Sequence, residues 1–366
     1  MAVGILISSK QIPVSKETLK SFLFIGELAL NGDLRPVNGV LSIASNLQKL
    51  GFHKIILPKE NADEAALVDH IHIYPAENLK KAIEIITNES NFTCYQNKSD
   101  IHAETLNQYG MDFSDVKGQE TVKRAIEIAA AGGHNMIMIG SPGTGKTMIA
   151  RRIPTILPKM SIEESIETTK IHSSAGILTS DSPIIKTRPF RAPHHTISDA
   201  GLIGGGAIPK PGEVSLSHNG VLFLDELPEF RRNVLEVLRQ PLEDNIVTIS
   251  RSNISITYPA RFILVAAMNP CPCGYLTDPD KECRCLPSQI QKYRSKISGP
   301  LLDRIDIHIE VLPTRFEKIV SNQKSETSEK IRIRVEQAKS IQLNRFKNSK
   351  STFFNAFMTN KEIEHY

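Results

Sequence analysis

Apolar and polar positions along this chain follow different rhythms in its early and later parts. Between Phe22 and about Thr87, short apolar runs (FLFIGELAL, HKIILP, HIHIYP) alternate with stretches of helical spacing (VLSIASNLQKL, NADEAALV, NLKKAIEII), and Asn31-Gly32 and Asn38-Gly39 mark turns. The pattern predicts a small α/β domain over residues 1–87. Residues 88–111 are polar, show no apolar face and read as a linker. From Asp112 the runs MIMIG, VLFLDE and RFILVAAMN become continuously apolar between glycine loops and helical stretches, which predicts a parallel sheet covered on both faces across residues 112–313. Within that span, IVTISRSNISITYP alternates on both sides of Arg251-Ser252-Asn253 and predicts a hairpin. Residues 314–366 turn charged, with one helix expected from Glu326 to about Asn348.

With 366 residues and 40% hydrophobic content, the chain can fill two or three domains. Its apolar runs fall far short of the roughly 20 residues that span a bilayer, and MAVGILISSKQIP lacks the flanks of a secretory signal. A cytoplasmic protein with no membrane partner is expected. The net charge of +4 does not by itself imply nucleic acid, so the position of the basic residues matters more than their number.

The chemistry concentrates in the middle third. Gly140-Ser141-Pro142-Gly143-Thr144-Gly145-Lys146-Thr147 follows an apolar strand and opens a helix, the context a phosphate-binding P-loop requires. In that motif the loop N–H groups face phosphate, Lys146 reaches the β- and γ-phosphates, and Thr147 ligates Mg²⁺. Asp225 and Glu226 end the strand VLFLDE; there Asp225 can hold Mg²⁺ and Glu226 can polarise an attacking water, a pairing that implies ATP hydrolysis as well as binding. Asn269 ends RFILVAAMN and can position that water, or can be a strand-end turn residue. Arg304 can act as an arginine finger in a neighbouring subunit, or can pair locally with Asp303 or Asp306. Four of the 5 cysteines, Cys271, Cys273, Cys283 and Cys285, crowd into one loop away from Cys94. They read as a structural Zn²⁺ clip in a reducing compartment or as reduced surface thiols.

GQETVKRAIEIAAAGGHNMIMIGSPGTGKT, RPFRAPHHTISDAGLIGGG, PKPGEVSLSHNGVLFLDELPEF, MNPCPCG and SGPLLDRIDIH together resemble the magnesium-chelatase-like AAA+ ATPases of the ComM/YifB type. The resemblance implies an α/β AAA+ P-loop core and a hexameric ring with ATP sites between subunits. It assigns Lys146 and Thr147 to phosphate and Mg²⁺, Asp225 and Glu226 to the second motif, Asn269 to the sensor and Arg304 to the finger. GELALNGDLRPVNGV and LPKENADEAALV are similar to part of a Lon-protease-like (ribosomal S5-like) domain. Val40-Leu41-Ser42 stands where active Lon proteases carry a lysine, and the part holding a nucleophilic serine is expected to precede Met1, so proteolysis is not expected. Residues 314–366 are expected to begin a helical lid without completing it, which would leave ATP loosely held and Phe353, Phe354 and Phe357 short of a core.

In related ring ATPases the hairpin enters the central pore, where Arg251, Lys210 and the RPFRAPHH segment could meet a DNA backbone, single-stranded or branched, or could be solvated tips and structural pairs. The resemblance to ComM implies a DNA translocase or branch-migration helicase serving competence. The rival is a protein-remodelling ATPase, like the magnesium-chelatase motor subunit, that does not act on DNA; a weaker third reading is a nucleotide-binding scaffold without turnover.

Overall fold

Side chains on a strand point alternately to opposite faces, and in the buried strands of this chain both faces are apolar. Met136, Met138, Val221, Phe223, Val265 and Ala267 fill one core, while Ile137, Leu222, Leu224, Leu264, Ala266 and Met268 fill the other. The computed structural model describes residues 1–96, 110–178, 183–206, 209–251, 254–314, 325–347 and 354–366. Two compact units emerge, Leu106–Ser161 with Thr187–Tyr366, and Met1–Thr105 with Ile162–Lys186.

The larger unit is built on five parallel strands, β1 (Met136–Ile139), β2 (Phe190–Arg191), β3 (Gly220–Leu224), β4 (Phe262–Met268) and β5 (Ile307–Glu310), in the spatial order β5-β1-β4-β3-β2. Helices Glu120–Gly132 and Lys146–Ile156 cover one face with Val122, Ile126, Ile149 and Ile153; the other face is closed by Val234, Leu235, Leu238, Tyr293, Leu301 and Ile305. Because the spatial neighbours of β1 are β4 and β5 and not the next strand in sequence, the loops after the carboxyl ends of β1, β3 and β4 gather side chains from distant parts of the chain. The expected hairpin pairs Ile246–Arg251 with Ile254–Pro259 from Ile246↔Pro259 to Arg251↔Ile254; its Ser252-Asn253 tip lies outside the described residues.

The helix expected from Glu326 spans Ser328–Arg345 and buries Ile331 and Val335 in the core of the Glu120–Gly132 face. Ser328 Oγ accepts the Phe113 N–H (2.7 Å) and shares a hydrogen bond with Thr155 Oγ1 (2.7 Å). Gln342 donates to Ala131 O (2.9 Å) and accepts from Asn355 N (2.9 Å), which draws the last residues back. Phe354 and Phe357, expected to lack a core, are half-buried and pack edge to face at 6.4 Å, with Lys339 Nζ 5.4 Å from the Phe354 ring centre; Phe353 lies outside the described residues.

In the smaller unit, Phe22–Phe24, Lys54–Pro58 and His72–Ala76 form a three-stranded parallel sheet with Lys54–Pro58 central. Helix Val40–Asn46 covers one face, and Leu79–Thr87, capped by Asn78, covers the other. Val40 and Leu41 are core residues. Part of the stretch read as linker is stitched to this sheet: Tyr95 N donates to Ile73 O (2.8 Å), and Glu89 takes Lys54 Nζ (2.7 Å) and the Tyr74 hydroxyl (2.8 Å). Isolated aromatic anchors such as Phe92 and Tyr95 have no period to detect. Residues 162–178 and 183–186, inside the span assigned from sequence to the second domain, also pack here. Helix Ile162–Ala175 docks through Ser173, whose Oγ accepts from Gly39 N (2.9 Å) and bonds the buried Glu64 carboxylate, which also takes Leu41 N (2.8 Å).

Arg334 ties the Ser328–Arg345 helix to the Glu120–Gly132 helix through Glu127 (2.6 Å) and also pairs with Glu326 just before its own helix (2.5 Å). Its hydrogen bonds hold both carboxyls below their ordinary value of 4.5. A carboxyl whose pKa falls on folding stabilises the fold above its unfolded value and loses that contribution as pH drops through the folded one. Urea unfolding between pH 7 and 3 should therefore show stability falling below about pH 4.5, with a shallower fall in Arg334→Met.

Candidate nucleotide site

The chain leaves β1 into the loop Gly140–Gly145 and enters the helix at Lys146. Gly143 and Gly145 have φ of 80° and 89°, the left-handed geometry that lets loop N–H groups converge on an anion. Lys146 is 8% exposed, and its Nζ donates to Gly140 O (2.7 Å), Ser141 O (3.0 Å) and Asn269 Oδ1 (3.3 Å). Burial lowers its pKa, with Asp225 pulling the other way. Among the described residues the buried Ser141 hydroxyl makes no hydrogen bond of good geometry, so the loop holds polar capacity that a phosphate can satisfy.

At the carboxyl end of β3, Asp225 Oδ2 accepts the Thr147 hydroxyl at 2.6 Å, and its Oδ1 accepts Glu226 N at 2.9 Å. A hydroxyl and a carboxylate in contact at a helix N-terminus form a donor set suited to a hard cation such as Mg²⁺. Glu226 itself is left-handed (φ 51°, ψ 47°), a conformation costing a non-glycine residue roughly 1–2 kcal/mol, and its carboxylate lies 3.3 Å from His195 Nδ1. The His195 ring is 4.0 Å from that of His194 and meets Phe230 edge to face.

Sequence reasoning grouped His195 with a DNA-contacting segment and missed its place beside Glu226. No local sequence pattern carries that signal, because the meeting depends on register: Arg191 pairs with Leu222 across parallel β2 and β3, and His195 and Glu226 each lie four residues further on. The two arginines of that segment are internally committed. Arg188 donates to Pro158 O (2.5 Å) and Asn219 O (2.7 Å), and Arg191 forms a fork with Glu213 (2.5 and 2.7 Å). Lys210 is exposed on the short Lys210–Pro211 strand; the Arg251 side chain lies outside the described residues.

Asn269, directly after β4, is thus brought to Lys146, and Lys146, Thr147, Asp225, Glu226 and Asn269 form one cluster. Arg304 belongs to another. Its carbonyl accepts Asn135 Nδ2 (3.0 Å), its guanidinium donates to Pro300 O (2.6 Å), and it pairs with Glu243. The local partner is therefore Glu243, neither Asp303 nor Asp306; Asp306 instead takes His134 Nδ1 (3.0 Å) and Asn135 N (3.2 Å). The thiols of Cys271, Cys273, Cys283 and Cys285 lie within 4.8 Å of one another. N–H groups of Tyr275 and Arg284 draw the Cys273 thiol down to about 6.

The family described as "Magnesium chelatase, subunit ChlI" matches residues 112–319, and "Subunit ChlI of Mg-chelatase" matches residues 1–61. The chain is 44% identical over 371 residues to the competence protein ComM of Haemophilus influenzae, covering all of this chain and 70% of that protein. It belongs to the magnesium-chelatase-like ComM/YifB family. A second member, the uncharacterized protein YifB of Escherichia coli, is 45% identical over 311 residues, 85% of this chain and 60% of its own length. The magnesium-chelatase 38 kDa subunit of Rhodobacter capsulatus is more distant, at 27% over 222 residues, 56% of each chain. Members of the ComM/YifB family are AAA+ ATPases, so the family implies ATP and Mg²⁺, and the loop, amine, hydroxyl and carboxylates assembled here fit both. Among the described residues no helix is long and apolar enough to cross a membrane.

Proposed function

We propose that this chain is an ATP-hydrolysing motor that assembles into a ring, a hexamer, and moves single-stranded or branched DNA. The observation carrying the catalytic part is the joining of Lys146, Thr147, Asp225, Glu226 and Asn269 at the carboxyl ends of β1, β3 and β4. ATP is the substrate. Its phosphates lie in the Gly140–Gly145 loop, and Lys146 exchanges its carbonyl partners for phosphate oxygens. Thr147 and Asp225 hold Mg²⁺, which when bound neutralises charge on the phosphates. Glu226 orients and polarises the attacking water, His195 fixes the carboxylate's direction, and Asn269 shares the water's hydrogen bonding. Arg304 serves the site of a neighbouring subunit after leaving Glu243.

The DNA part is supported by similarity along the whole chain to a protein named for competence and by the hairpin Ile246–Pro259, whose Thr248, Ser250, Ser255 and Thr257 form polar cross-strand pairs. Similarity to a magnesium-chelatase subunit favours the second reading, a protein-remodelling ATPase without DNA. ATPase assays of the assembled protein with no DNA, single-stranded DNA and branched DNA distinguish the two. Stimulation by DNA supports the translocase, and unchanged turnover points to a protein substrate.

Lys146→Ala should abolish binding of a fluorescent ATP analogue, whereas Glu226→Gln should keep binding and lose about 100-fold or more in turnover. Equal loss of binding in both variants would contradict these separate roles. Arg304→Ala should bind ATP normally yet turn over about 1,000-fold more slowly. Mixing it with Lys146→Ala subunits, which carry an intact finger but an empty site, should restore part of the turnover; no recovery at any mixing ratio would confine Arg304 to its pair with Glu243.

A further inference from the structure

The segment that follows Asn269 runs directly into the cysteine cluster. Cys271 is fully buried, and the thiol separations among Cys271, Cys273 and Cys283, 3.3, 3.6 and 3.7 Å, approach the roughly 3.8 Å between sulfurs on a tetrahedral ion with bonds of about 2.3 Å. Between the two cysteine pairs only Gly274 is buried, so the loop has no apolar core to hold its shape. Four ionised thiolates this close repel one another unless a cation lies among them.

The loop meets the nucleotide cluster where Gly274 packs against Pro142 and Asn269, and it joins the cluster along the chain through Pro270. Gly274 N donates to Cys271 O (3.0 Å) and closes a turn in which Gly274 has φ 88°; a Cβ there would stand 2.6 Å from Pro142 Cδ in the P-loop and 3.9 Å from Asn269 Cγ. Pro270 O, between Asn269 and Cys271, accepts both Nε and Nη2 of Arg294 (3.3 and 3.2 Å). Asn269 in turn reaches Lys146.

We propose that Cys271, Cys273, Cys283 and Cys285 hold a zinc ion whose binding fixes Asn269 and the Pro142 side of the P-loop, so that zinc occupancy controls the grip on nucleotide. The proposal rests on the nucleotide-site reading. Linkage makes it reciprocal: if zinc tightens nucleotide binding, nucleotide must tighten zinc binding by the same factor.

The test uses the full chain. Elemental analysis should find one zinc per chain, and chelator competition in the presence of ADP should show zinc held about 5- to 150-fold more tightly than without it. The paired variant Cys283→Ser with Cys285→Ser, chosen because both positions are partly exposed and distant in sequence from Asn269, should lose zinc and weaken ADP binding by the same factor. Its circular dichroism should match that of the parent chain. Absence of stoichiometric zinc, or equal chelator resistance with and without saturating ADP, overturns the proposal. The chelator experiment needs no variant and stands even if the paired substitution does not fold. Lys146→Ala separates the two readings: it should keep its zinc and lose the ADP effect, whereas a parent chain with zinc but no ADP binding sinks the nucleotide reading itself.

Discussion

The arrangement depends on one buried amine. Lys146 sits where water hardly reaches, and an ammonium there is tolerable only if fixed oxygens replace its hydration. Gly140 and Ser141 supply two carbonyls from its own loop, and Asn269 supplies a third oxygen from the far side of β4. The first two require the loop to curl over the helix start, which the left-handed glycines permit. The third requires β1 and β4 to be neighbours in the register Met268↔Ile139, so the demand of a single cation reaches into the pairing of the central sheet. Those oxygens also hold the amine where phosphate oxygens can replace them.

The second requirement is a rigid base under the cluster. β1, β3 and β4 are almost wholly buried, and side chains on each strand interlock alternately with the two cores. A close-packed interior transmits displacement poorly as bending and well as rigid shift, so the ends of these strands keep fixed spacings. On that base stand Asp225, Glu226 and Asn269, each just past the end of a buried strand. His195 and the cysteine loop lie on two sides of the cluster, one beside the carboxylate of Glu226, the other against Pro142 and Asn269.

The smaller unit is tied together by a buried carboxylate. Glu64 takes hydrogen bonds from Leu41 N and Ser173 Oγ, joining a helix more than a hundred residues distant to the turn at Gly39. A buried carboxylate is costly when unpaired, so these bonds select one docking of that helix as well as stabilising it.

The sequence by itself determined the elements and the local chemistry. Period-two and continuous apolar runs marked the strands, the glycine spacing marked the P-loop, and Asp225-Glu226 and Asn269 were recognised because each ends an apolar strand, a position local pattern reports. It also placed the four cysteines in one loop. Tertiary structure alone decided the partners. That His195 meets Glu226 follows from the pairing of β2 with β3, that Arg304 meets Glu243 from the packing of elements separated in the chain, and that the Ile162–Ala175 helix joins the first unit from the bonds of Ser173 to Glu64 and Gly39. The stretch at 88–96 read as a linker because its anchors, Phe92 and Tyr95, are single side chains without a period. Periodicity reports which face of an element is buried; it carries no information about which distant polar group will satisfy a particular buried charge, and that choice is made only when the strands are paired and the chain is folded.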